Sequence, residues 1–465
     1  MVRSCFWLRF NLHQTTALTG SVPRPRNLYG IPRCSSRVET KSSNLASSLE
    51  EYIGLPSNSS FIIRMAYSPC EQRRLIAVAT YERNPQDRLL MGPGPSPVSP
   101  RVLRALSEPV LGHLDPDFLV IMTQTMEMLR YVFQTKNLLT LPMSGTGSAG
   151  METALVNLLE AGDKAVVAVA GVFGQRLVDI VERCGAEPIV VNTRWGMPVD
   201  PADVKAALER AGRAKLVAIV HAETSTGVLQ PLEEVAEYAK KHGALLVVDA
   251  VTSLGGVPVP TDTLALDLVY SGTQKCLGCP PGLAPVTVGD TAAKVIRTRK
   301  TKVQSWYLDL SMIQRYWTQE RFYHHTAPVS MIYALHEALR AIVEEGIENS
   351  WRRHSANASA LAAGLEAMGL ELLVPEEYRL PSLTAVKVPE GITDADVRAR
   401  LLKDYNIEIG GGLGELKGKI WRIGLMGYGS NKRNIVLLLA ALEDILSGIG
   451  ARVKNGAVVA AAQGA

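Results

Sequence analysis

Leu245-Leu246-Val247-Val248-Asp249 is an apolar run that ends on an acid, and Leu266-Asp267-Leu268-Val269-Tyr270-Ser271 leads through Gly272-Thr273-Gln274 to Lys275. Both runs read as buried strands, so an acid and an amine reach the carboxyl edge of one sheet. Together they suit pyridoxal phosphate chemistry. A lysine can hold the aldehyde as a Schiff base, and an acid can pair with the pyridine nitrogen so that the ring draws electrons. Alone, the same residues read as a capping acid and a surface lysine, since such groups commonly end strands.

Three further segments decide between these readings. Ser144-Gly145-Thr146-Gly147-Ser148-Ala149-Gly150 follows the apolar run Leu138 to Leu141 and opens an amphipathic stretch from Met151 to Leu159. A loop of small residues entering a helix presents free N–H groups and the positive end of the helix dipole, a seat for phosphate. Gly171-Val172-Phe173-Gly174-Gln175-Arg176 places an aromatic ring after the strand Ala165 to Ala170, where it can stack on a pyridine ring. Val217 to Val220 leads into His221-Ala222-Glu223-Thr224-Ser225-Thr226-Gly227, another polar strand end, suited to reach a ring hydroxyl. Gly145 to Gly150 also fits G-x-G-x-x-G, the dinucleotide fingerprint, with Glu160 or Asp163 early for its ribose acid. A nicotinamide-dependent oxidoreductase would explain that loop but leaves Lys275 and Asp249 without roles.

From about residue 87 to 446 the chain resembles the class V, fold-type I aminotransferases of the alanine–glyoxylate or serine–pyruvate kind. The matching segments, in order, include Leu90-Met91-Gly92-Pro93-Gly94-Pro95-Ser96, the Ser144, Gly171, His221, Asp249 and Lys275 segments above, Tyr323-His324-His325-Thr326-Ala327-Pro328 and Arg422-Ile423-Gly424. The resemblance implies a fold-type I α/β architecture: a large domain with a mainly parallel seven-stranded sheet flanked by helices, and a smaller C-terminal α+β domain. It implies that Lys275 carries the cofactor and shuttles a proton between the substrate α carbon and cofactor C4′. Asp249 pairs with the pyridine nitrogen, Val251 packs on one ring face and Phe173, where relatives often carry Trp, on the other. Thr224 reaches the ring O3′, while Thr146, Gly147, Ser148 and Gln274 hold the phosphate. Tyr323 and Thr326 reach the phosphate of a neighbouring subunit, so a homodimer with shared sites is expected. Arg422 binds the substrate carboxylate, a task that guanidinium geometry suits. The implied reaction is ping-pong transamination from alanine or serine to glyoxylate or pyruvate. Phosphonate or phosphoserine transaminases are the nearest alternatives.

Other candidates read as structural. Arg422 lies in an alternating strand-like run, where an exposed arginine is the default apart from the resemblance. His324 and His325 are adjacent on a segment read as extended, which turns them to opposite faces, and no acidic or Cys partner is nearby; no metal site is expected. Cys276-Leu277-Gly278-Cys279 has no second pair, so its thiols are expected to be small buried groups. The remaining cysteines are Cys5, Cys34, Cys70 and Cys184. None follows residue 279, which argues against a desulfurase needing a late nucleophilic thiol.

The chain has 465 residues, 47% of them apolar, and a net charge of +4. That length can bury large cores, and the modest charge gives no case for nucleic-acid binding. No apolar run is long enough to suggest a membrane span. Residues 1–86 read as an extension without sustained period. Residues 1–49 hold seven Lys or Arg, one acid (Glu39) and eight Ser, a composition expected of a mitochondrial transit peptide. A start at Met65 would instead leave a leader of the length usual in the family, with a cytoplasmic or peroxisomal enzyme as the alternative. A large domain is expected over 87–345, with helices at Pro201 to Ala211 and Leu232 to His242. A small domain over 346–450 is expected to contain a helix from Glu348 to Met368, a strand from Leu383 to Val388, a helix from Asp394 to Tyr405, the Arg422 strand and a helix from Lys432 to Leu446. The Ala- and Gly-rich tail from 451 is expected to be disordered, and it does not end in the S-K-L peroxisomal signal.

Overall fold

Strands built from Val, Leu, Ile and Ala without polar alternation demand cover on both faces, and the architecture supplies it. The computed structural model describes residues 86–463. The Arg- and Ser-rich opening segment, Met65, Cys5, Cys34 and Cys70 lie outside those residues. In chain order the first part comprises β1 (Leu89–Leu90), α1 (Pro100–Leu106), α2 (Pro116–Val132), β2 (Leu139–Ser144), α3 (Gly147–Leu158), β3 (Lys164–Val169), α4 (Val172–Arg183) and β4 (Glu187–Asn192). It continues with α5 (Pro201–Ala211), β5 (Leu216–Val220), a short hairpin of β6 (Ala222–Glu223) and β7 (Val228–Leu229), α6 (Glu233–Lys241), β8 (Leu245–Asp249), β9 (Leu268–Tyr270) and β10 (Leu283–Val288). Helices α7 (Asp290–Arg297), α8 (Leu310–Trp317) and α9 (Val329–Glu345) complete the large domain.

Seven of these strands form one sheet in the order β2-β10-β9-β8-β5-β3-β4. Only β10 runs against the others, antiparallel to both β2 and β9. The strands β2, β3, β5, β8 and β9 therefore share one carboxyl edge. Every residue of β5, β8, β9 and β10 is buried, whereas β4 at the sheet margin is exposed or half-buried at all positions but Val191. The local signals act as expected at α5, where the Asp200 side chain accepts from Ala202 N at 2.8 Å, Pro201 occupies the first turn and Gly212 stops the helix at φ 69°.

The remaining elements are α10 (Ile347–Ala367), β11 (Leu383–Lys387), α11 (Asp394–Tyr405), β12 (Ile407–Glu408), β13 (Gly410–Gly411), β14 (Ile420–Gly424), α12 (Lys432–Gly448) and α13 (Ala457–Gln463). A small sheet, β11-β14-β13, packs beneath the helices around Trp421, Leu361 and Leu439. Gly346, at φ 84°, separates α9 from α10 at the expected domain boundary.

Three expectations need correction. The segment after Gly450 is not wholly disordered: α13 folds back, and Ala457 and Ala461 are buried in the small-domain core. Small residues read as a flexible tail here allow close helix approach. A Cβ at Gly364 on α10 would lie 2.3 Å from Leu439 Cδ1 and 3.0 Å from Ala457 O. The small domain is also not confined to residues past 346, because β1 pairs in parallel with β12 and Met91 is buried in the same core. Finally, α3 is not amphipathic. It begins at Gly147, and Thr153 to Leu159 are all buried, because the helix lies under the sheet rather than at the surface.

Candidate active site

Asp249 closes β8 with its carboxylate buried and both oxygens engaged. Val251 N donates to Oδ1 at 2.8 Å and the Tyr270 hydroxyl donates to Oδ2 at 2.8 Å. Burial pushes its pKa up to about 6, against the opposing pull of those two bonds. Above that pH an anion faces the cavity. Lys275, reached by the turn after β9, is also buried. Burial, helped by the positive charge of Arg422, lowers its pKa to about 8, so an uncharged, nucleophilic amine is accessible near neutral pH. Nζ donates to the carbonyl of Pro93. The neighbouring Gly94 has φ 115°, and a Cβ there would come within 2.5 Å of Nζ. The segment from Met91 to Ser96 is thus fitted against the lysine by a residue with no side chain. Ser96 adds a bond from its hydroxyl to Lys275 O at 2.8 Å.

Thr146 is the N-cap of α3, with no capping bond from its own side chain. Its hydroxyl stays available, as do the first-turn N–H groups that no helix satisfies internally. Gly147 approaches Val251 so closely that a Cβ would lie 3.1 Å from Val251 Cγ2. Phe173 sits in the first turn of α4. The Thr224 hydroxyl pairs with that of Thr252 at 2.5 Å. Gln274 Oε1 is buried with no partner among the described residues.

Thr146, Gly147, Ser148, Phe173, Thr224, Asp249, Val251, Gln274 and Lys275 all line one cavity of about 200 Å³. A larger groove of about 1080 Å³ runs past Pro97, Arg101, Arg353 and Tyr428, but no buried acid and amine meet there. Arg422 lies beside the cavity rather than on its wall. It is buried on β14, donating from Nε to Gly411 O at 2.8 Å and from Nη1 to Thr224 O at 3.1 Å. Its Nη2 has no acceptor among the described residues. Tyr323 and Thr326 are exposed and do not border this cavity.

The expected placement of His324 and His325 on opposite faces is wrong. The segment is irregular, not extended, and the two Nδ1 atoms meet at 2.8 Å while His325 Nε2 bonds Ser144 Oγ at 2.8 Å. No group of three metal-capable side chains occurs among the described residues. Cys276 and Cys279 are free, buried thiols.

Sequence reading missed several participants. Glu223 is buried at the end of β6 and accepts from Phe173 N at 3.4 Å, Gly174 N at 3.3 Å and Ser225 N at 3.1 Å. Ser225 in turn accepts from Val172 N at 2.9 Å. These two side chains cap α4 and so fix where Phe173 stands. Burial raises the pKa of Glu223, against the bonds from Ser225, Gly174 and Phe173. Gly171 is required at this junction, since a Cβ would lie 2.3 Å from Ser225 Oγ. Glu223 was visible as a polar strand end, but only the hairpin turns it back onto α4. Tyr270 read simply as a strand residue, and Arg176 carried no signal beyond its place in a family-like segment.

A nucleophilic amine, an opposing carboxylate and a helix start in one enclosure fit an aldehyde cofactor bearing an aromatic ring and a phosphate. Fold and site together define a pyridoxal-phosphate-dependent transferase. The chain belongs to the class-V aminotransferases, whose family model matches residues 90–416. It is 42% identical over 393 residues to the (S)-ureidoglycine–glyoxylate transaminase of Bacillus subtilis, covering 81% of this chain and 94% of that protein. It is 43% identical over 363 residues to the alanine–glyoxylate aminotransferase of Callithrix jacchus, covering 77% and 87% of the two chains. The crystal structure of alanine–glyoxylate aminotransferase from Nostoc sp. superposes with a TM-score of 0.78 at 47% identity, over 82% of this chain and 100% of that one.

Proposed function

We propose that this aminotransferase moves the amino group of alanine, or of serine, to glyoxylate or pyruvate. The observation that carries the reading is the enclosure of the Lys275 amine and the Asp249 carboxylate in one cavity of about 200 Å³. Glyoxylate appears in the names of the relatives above. Pyridoxal phosphate supplies the aldehyde that takes up the amino group and the ring that accepts the electron pair released at the donor's α carbon.

The chain's own residues do the rest. Lys275 Nζ would hold the cofactor through its aldehyde and, once free, would carry a proton between the substrate α carbon and cofactor C4′. Asp249 keeps the ring nitrogen protonated. Phe173 and Val251 would flank the ring, and the Thr224 hydroxyl would bond its O3′. Thr146, Gly147, Ser148 and Gln274 hold the phosphate, with Tyr323 and Thr326 serving the site of a second copy in a homodimer. Arg422 offers Nη2 to the substrate carboxylate, and its buried charge remains positive at neutral pH.

Absorption spectra of the purified protein test this. A visible band that alanine shifts to shorter wavelength and glyoxylate restores supports both half-reactions. A band unmoved by alanine but moved by ureidoglycine assigns the donor suggested by the Bacillus relative, and a response to phosphoserine alone assigns a phosphorylated one. No band after adding cofactor removes the reading.

A further inference from the structure

We propose that Arg176 is a cofactor-phosphate ligand of this site, a cationic clamp closing on the anion seated at the start of α3. Arg176 follows Phe173 by three positions on α4, so both side chains project from one face of the helix. The guanidinium carbon lies 4.9 Å from the Phe173 ring centroid, and Nη1 donates to Ser148 Oγ at 3.1 Å. Stacking and the hydrogen bond hold one end of the planar fork, and the residue lines the same cavity as Thr146, Gly147 and Lys275.

What Arg176 does not do points the same way. Arg183, on the same helix, is bound to Asp179 at 2.8 Å, whereas Arg176 makes no ion pair with a carboxylate among the described residues. Lys275 is the other cation on the cavity wall, and its amine is occupied by Pro93 O and by the chemistry proposed for it. Ser148 stands in the first turn of α3, so a guanidinium in contact with its hydroxyl is within reach of any anion accepting from the Gly147 and Ser148 N–H groups. Guanidinium meets phosphate through paired donors, which backbone amides and hydroxyls supplement but do not replace in charge.

The inference rests on the residue roles given in the preceding section, and the experiment separates the two. Cofactor-free protein is titrated with pyridoxal 5′-phosphate and with pyridoxal, which shares the ring and aldehyde but lacks phosphate, following tryptophan fluorescence. Arg176→Gln is expected to weaken the phosphate form by roughly tenfold or more while leaving pyridoxal within about twofold. Arg176→Lys should recover part of the loss. Equal losses for both ligands, or none for either, overturn the proposal; so does an unchanged phosphate-form affinity with a raised KM for alanine, which would make Arg176 a substrate contact. Retained pyridoxal binding shows that the variant is folded. If the unsubstituted protein binds neither aldehyde, the underlying site assignment fails as well.

Discussion

Asp249 owes its raised proton affinity to burial, which the bonds from Val251 and Tyr270 only partly oppose. With the pKa pushed up to about 6, the carboxylate is charged at neutral pH and progressively lost below it. Binding of cofactor by the cofactor-free protein should weaken as pH falls through about 6. Removing the hydroxyl in Tyr270→Phe takes away one of the bonds that lower the pKa, so the weakening should begin at a higher pH. Bonds to charged groups contribute roughly 1.5–3 kcal/mol, enough to leave Asp249 largely protonated at neutral pH, hence a loss of roughly two- to tenfold in affinity there, read by fluorescence titration. Lys275→Ala should lose the visible band and all turnover in stopped-time assays. Lys275 and Asp249 were legible from sequence because each ends an apolar run, a pattern that fixes both burial and sheet edge. Tyr270, Glu223 and Arg176 were not, because each acts on a residue brought alongside by strand order or by helix packing.

At the scale of elements, the start of α4 depends on a carboxylate from another part of the chain. Glu223→Ala leaves the N–H groups of Phe173 and Gly174 buried without an acceptor, at a cost of roughly 1–3 kcal/mol for each group so stranded. Urea denaturation should show the lowered midpoint, and the altered seat of Phe173 should appear as a changed absorption maximum of bound cofactor. Strands were easier to read than their surroundings: Leu245–Asp249 has the expected bounds, and the helices Pro201–Ala211 and Asp394–Tyr405 match as well, the first marked by proline and an acidic cap and the second by acids in its first turn. The register of α3 was harder, because glycine and serine read as loop until packing against Val251 and Ala284 recruits them into a helical turn. The same limit hid α13, whose alanines have no strong period of their own. Deleting residues 451–465 should uncover the faces of α10 and α12 that it covers. The expected loss is on the order of 1–2 kcal/mol, visible as a lower Tm with the cofactor site intact.

Across the whole molecule, a buried histidine ties α10 to the turn that follows β14. His354 on α10 has Nδ1 against Ser350 O at 2.7 Å, and Nε2 accepts from Gly427 N at 3.0 Å. Both contacts are met by the neutral ring, and burial, with Arg353 nearby, lowers its pKa from 6.5 to about 4. Because the unfolded chain binds this proton more readily, the associated stability is present above about 6.5 and is lost as pH falls through about 4. The loss should approach roughly 3 kcal/mol, and His354→Gln should show a shallower fall in urea midpoint between pH 7.5 and 4.5 than the unsubstituted protein.

The pairing of β1 with β12 also orders events in time. Leu89 and Leu90 leave the ribosome long before their partners Ile407 and Glu408, and Met91 waits equally long for its burial. About 320 residues separate the two halves of this ladder, so at roughly 5–20 residues per second the wait is on the order of 15–60 s. The central sheet has every strand it needs once Val288 has emerged, whereas the Pro93 carbonyl cannot be anchored from its amino-terminal side until Ile407 and Glu408 have emerged. A nascent chain stalled before residue 407 would therefore hold a complete large-domain sheet and an unfastened lysine loop.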